Sequence, residues 1–160
     1  MNEDMIEYKI LYSIFEEIDI INNTKNKLIK KYKYKKVVKR ITYLVNSTFS
    51  SKIIKIILSF NNIIKSKGII GYIPNKYGFH PRMNEVVFGI YDNDEMQSVK
   101  YYLNTNEFNI ELGRFSFRVN DTNIKNSTLE MRWNKVNEFI KKILINTILD
   151  MGQFADLIVH

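Results

Sequence analysis

Ile6, Ile10, Ile14, Ile18 and Ile21, joined by Leu11 and Phe15, recur at three- and four-residue steps, which predicts a helix over residues 4–21 with one buried face. Its other side carries Glu7, Glu16, Glu17 and Asp19. Glu3 and Asp4 fall in the first turn, where acids suit the positive end of the helix dipole. Glu16, Glu17 and Asp19 fall at the unfavourable end, which argues that they face a basic neighbour. Thr24 is the expected N-cap of a second helix, with Leu28, Tyr32, Val37, Val38, Ile41, Leu44 and Val45 as its apolar face. Ser50 or Ser51 is expected to cap a third, running through Ile53, Ile54, Ile57, Leu58 and Ile64 and ended by Gly68.

Beyond Gly68 the period changes. Residues 69–73 and 85–91 read as β-rich runs joined by a long basic and aromatic loop over 74–84, and loops of that length often bind something. Asp94 is expected to cap a short helix through Met96, Val99 and Leu103. Phe108, Ile110 and Leu112 then alternate, as do Phe115, Phe117 and Val119. The last element opens on a capping box, Ser127-Thr128-Leu129-Glu130, and continues at helical spacing through Trp133, Val136, Ile140, Ile143, Leu144, Ile148 and Met151. Gly152 should end it before an apolar tail of Phe154, Leu157, Ile158 and Val159, expected either to dock or to mediate a homodimer. The expected class is α+β: three N-terminal helices, a small antiparallel sheet of about four strands, and a long C-terminal helix covering the sheet. At 160 residues with six Gly and two Pro, the chain reads as a single domain over 1–160, with a seam near residue 68 between a helical and a mixed half.

Charge changes the picture most. Residues 20–84 contain no Asp or Glu and 15 Lys or Arg, so the net +7 is +15 in that stretch against −8 elsewhere. Such a segment calls for a polyanion, an acidic partner, or the acidic remainder of its own chain. The abundance of Ile, Lys, Asn and Tyr fits an AT-rich coding bias. That bias adds Lys but does not by itself remove Glu.

Most chemistries are disfavoured. Zero Cys rules out disulfides, thiolate nucleophiles and Cys-ligated metals, and fits a reducing, cytoplasmic compartment. The acidic N-terminus lacks the layout of a secretory signal, and apolar runs such as 53–60, broken by Lys55, fall short of the roughly 20 residues that span a bilayer. A soluble protein without a membrane role is expected. Only His80 and His160 are present, so a histidine metal site or a Ser-His-acid triad would rest on His80 alone. The scattered glycines match no phosphate loop, and the acids at Asp92, Asp94 and Glu95 read as an acidic turn. No catalytic, metal or cofactor site is therefore expected.

What remains is Lys30-Lys31-Tyr32-Lys33-Tyr34-Lys35-Lys36, where cations alternate with aromatics. Lys meets phosphate as a point charge, and Tyr stacks on an unpaired base or packs under lysine stems. The expected function is non-enzymatic binding of nucleic acid, DNA or RNA, through Lys27, Lys30, Lys31, Lys33, Tyr34, Lys35, Lys36, Lys39 and Arg40, with Lys52, Lys55, Lys76 and Arg82 in support. Three helices followed by a hairpin with a basic loop resembles the element order of a winged helix. That resemblance would make residues 51–66 the reader and the loop at 74–85 the wing. The competing expectation is a small protein-interaction module, such as an inhibitor, an immunity-type protein or an assembly subunit of a mobile element or virus. It would grip an acidic partner, with Tyr77 and Phe79 as anchors.

Overall fold

The structure, a computed structural model, describes residues 4–66, 79–81, 84–92, 95–112, 115–124 and 127–158. Its elements run α1 (Asp4–Asn22), α2 (Lys27–Ser47), α3 (Ser50–Ser66), β1 (Phe79–Pro81), β2 (Glu85–Asp92), β3 (Glu95–Tyr102), β4 (Glu107–Leu112), β5 (Phe115–Val119), α4 (Ser127–Met151), a 3-10 turn (Gly152–Phe154) and α5 (Ala155–Ile158). They form two compact units, one of residues 1–73 with 144–160 and the other of residues 74–143. The α+β class is thus the observed one.

In the helical unit α1 is the hub, touching α2, α3, the 3-10 turn and α5. Ile6, expected on the buried face, is 58% exposed, and Ile10 is half-buried; the rest of the ladder read from the sequence, Leu11, Ile14, Phe15, Ile18 and Ile21, lies in the core. Each such side chain contributes about 1.5–3 kcal/mol by leaving water. Phe60 of α3 anchors an aromatic cluster, stacked on Tyr8 at 4.6 Å and edge-on to Phe15 at 5.1 Å. The C-terminal tail docks within its own chain, with Ala155 and Ile158 buried. Gly152 allows this approach by lacking a side chain: a Cβ there would lie 2.6 Å from Cγ2 and 2.8 Å from Cβ of Ile18, and closer still to Cδ1.

The other unit is an antiparallel meander, β1-β2-β3-β4-β5, covered by the first turns of α4. Register places Val86 opposite Tyr101, Phe88 opposite Val99, Tyr101 opposite Phe108 and Phe108 opposite Val119, so period-2 alternation puts all six on one buried face. Trp133 of α4 closes over it, 5.0 Å from Phe108. The turn after β3 is fixed by Asn106, whose φ of 57° is left-handed, a conformation Asn tolerates well. Its Oδ1 accepts the Tyr101 hydroxyl at 3.1 Å.

Several expectations are corrected. The N-cap of α2 is Asn26 rather than Thr24; the Thr24 hydroxyl instead donates to Ile20 O at 2.8 Å, finishing α1. Leu28 and Tyr32 do not belong to the buried face of α2, which begins at Val37. At 100° per residue both lie on the side away from Val37 and Ile41. The helix expected through Met96, Val99 and Leu103 is strand β3, where Val99 and Tyr101 alternate inward between β2 and β4. Residues 69–73, expected as a strand, lie outside the described residues. The partner of β2 is instead β1, inside the expected loop, with Pro81 on the edge strand, where a missing donor is tolerated.

Candidate nucleic-acid interface

Asn26 starts α2 by accepting from Leu28 N at 3.0 Å and Ile29 N at 3.2 Å. Every residue from 27 to 36 is then exposed, ten in succession, before Val37 anchors the helix in the core. The exposed stretch is about 15 Å long at 1.5 Å per residue. It carries Lys27, Lys30, Lys31, Lys33, Lys35 and Lys36 and no acid. At 100° per residue these six cations spread around the whole circumference rather than along one stripe. None of them, nor Lys39, meets a carboxylate at ion-pair distance among the described residues. Lys36 Nζ instead lies 4.9 Å from the Tyr32 ring centre.

The acids of α1 reach two of the expected site residues. Arg40 donates to Glu17 Oε1 at 2.6 Å, both side chains part-exposed, and Lys52 Nζ lies 2.9 Å from Glu7 Oε2, an ion pair without hydrogen-bond alignment. The Arg40–Glu17 pair, part-exposed on both sides, is of a kind worth about 0–1 kcal/mol. Arg40 and Lys52 are therefore engaged within the chain, whereas the lysines of the α2 arm and Lys39 stand in solvent. Among the α3 residues whose side chains are described, eight are buried and Lys55, Ser59 and Asn62 are exposed, a narrow strip for a reader. Lys76, Tyr77 and Arg82 lie outside the described residues, and Phe79 sits in β1, in register with Phe88.

Beside the arm, α1 and α2 enclose a groove of about 320 Å³ lined by Glu17, Ile20, Ile21, Tyr32, Lys33 and Lys36. Ile20, 55% exposed, was missed as a site residue. The available signal was an isoleucine off the three-and-four spacing of the buried face of α1. Among the described residues no group of three or more His, Cys, Asp or Glu could hold a metal ion, and no helix is long and apolar enough to cross a membrane. No protein-family model, curated protein or solved structure matches the chain.

Proposed function

We propose that this is a non-enzymatic nucleic-acid-binding protein whose contacts with phosphate are made by the first ten residues of α2. The observation that carries the reading is the exposure of six lysines on all sides of one acid-free helical segment. An acidic protein surface meets one side of such a helix and leaves the remaining cations unanswered. A nucleic-acid backbone supplies phosphates from several directions at once. Lys39 and Lys55 extend the cationic surface, while Arg40 and Lys52 brace the helices that present it. A second reading, a module gripping an acidic protein, draws on Leu28, which is 80% exposed among the cations and suits an apolar anchor.

The test is fluorescence anisotropy with labelled duplex DNA, single-stranded DNA and RNA across a salt series. With about six phosphates contacted, affinity should fall on the order of a thousandfold between roughly 50 and 200 mM salt. Reversing Lys30, Lys31, Lys35 and Lys36 to Glu should abolish binding. Absence of binding at the lowest salt, or binding that survives the reversals, refutes the proposal.

A further inference from the structure

We infer that the bound polymer is single-stranded, and that one of its unpaired bases enters the groove between α1 and α2. This rests on the nucleic-acid reading above and deepens it. Ile20, Ile21 and Tyr32 give the groove an apolar floor, and Lys33 and Lys36 add two cations to the same lining. A nucleotide has the complementary form, a flat ring attached to an anion. The groove volume of about 320 Å³ admits one such ring, at the lower end of the roughly 300–1,000 Å³ typical of small-molecule sites. Glu17 is the one acid in the lining, and the Arg40 guanidinium 2.6 Å away offsets its repulsion of phosphate.

Duplex nucleic acid cannot use this site, since its bases are paired and stacked inside the helix. A single strand presents base faces, and stacking on an aromatic side chain is largely indifferent to sequence. Tyr32 is 61% exposed, with its ring already paired to the Lys36 ammonium. On binding, that ammonium transfers to the phosphate of the same nucleotide, so the ring face and the cation become available together. An acidic amphipathic helix fits less well, because it needs apolar anchors at i, i+3, i+4 and i+7, and this floor offers room for one.

The experiment compares Tyr32→Ala with Tyr43→Ala in the full chain. Tyr43 lies on the same helix, is 76% exposed, and does not line the groove. Binding of a labelled single strand and of its duplex is measured by anisotropy at low salt, with thermal melts confirming that both variants fold. The expected result is a preference for the single strand, lowered about tenfold by Tyr32→Ala and unchanged by Tyr43→Ala, with duplex binding unaffected by either. A strand carrying 5-iodouracil should photo-crosslink to Tyr32. If both variants bind like the parent protein, or the duplex is preferred, the groove assignment falls while the lysine reading stands. If no nucleic acid binds and an acidic polypeptide does, both fall.

Discussion

Gly152→Ala should destabilise the protein, although alanine is the better residue in helical backbone. The 3-10 turn lies against α1 at this position, and the new methyl would lie 2.6 Å from Cγ2 and 2.8 Å from Cβ of Ile18. Ile18 cannot give way easily: its Cβ is fixed to the helix, its β-branched side chain has one strongly preferred rotamer, and it is buried. The tail must therefore move off α1, loosening the contacts that bury Ala155 and Ile158. Overpacking of this kind costs about 1–3 kcal/mol, and replacing helical Gly returns roughly 0.5–1 kcal/mol. The net loss is about 1–2 kcal/mol, a fall in Tm of roughly 2–8 °C for a chain of this size. Thermal melts by far-UV circular dichroism read it directly. Ile18→Ala removes two of the three clashing atoms, so in that background the penalty of Gly152→Ala should shrink by about 1 kcal/mol. If Gly152→Ala melts at or above the parent temperature in both backgrounds, the close approach is refuted, and the glycine serves only to end α4.

Two further substitutions probe the arm of α2. Asn26→Ala removes the side chain that accepts from Leu28 N and Ile29 N and should cost about 1 kcal/mol. Faster amide exchange confined to the first turns of α2 would report it, and unchanged exchange would count against the cap. Lys31→Glu replaces repulsion from Lys27 and Lys35 by attraction at i,i+4 on both sides, so at low salt it should stabilise the protein by about 1–2 kcal/mol while weakening nucleic-acid binding. A lowered Tm, or unchanged binding, would contradict the reading.

Legibility from sequence followed the strength of the periodic signal. α1 and α4 were placed to within a residue because each carries five or more apolar positions at helical spacing with few competing signals. β3 was misread because Met96, Val99 and Leu103 happen to fall at helical spacing, whereas pairing with two neighbouring strands decides the outcome. The cap of α2 was misplaced by two residues because Thr24 and Asn26 are both competent, and the backbone bond closing α1 claimed Thr24. The cationic segment was visible from charge alone. Which of its lysines stand in solvent was not, since that depends on where α1 stops covering α2. The groove was invisible for the same reason: Ile20 and Tyr32 are twelve positions apart, and only the turn over residues 23–26 brings them together.

The arm carries an energetic argument of its own. Among Lys27, Lys30, Lys31, Lys33, Lys35, Lys36 and Lys39, seven pairs stand at i,i+3 or i,i+4. At about 0.2–0.5 kcal/mol each they oppose the helix by roughly 1.5–3.5 kcal/mol in low salt. The first turn holds no acid to offset the dipole, so the local balance worsens towards the N-terminus. Against this stand one cap, worth about 1 kcal/mol, and one exposed cation–π contact, worth about 0.5–1 kcal/mol. The arm is therefore helical because it continues a segment anchored from Val37 onward, not because its own residues favour it. A helix needed only for packing has no use for ten exposed residues that oppose its formation. Phosphates close to these lysines would turn the same seven repulsions into shared attraction to one polyanion. On this account the destabilisation belongs to the unbound state, and binding should raise the protection of the arm's amides more than that of any other segment of the helical unit.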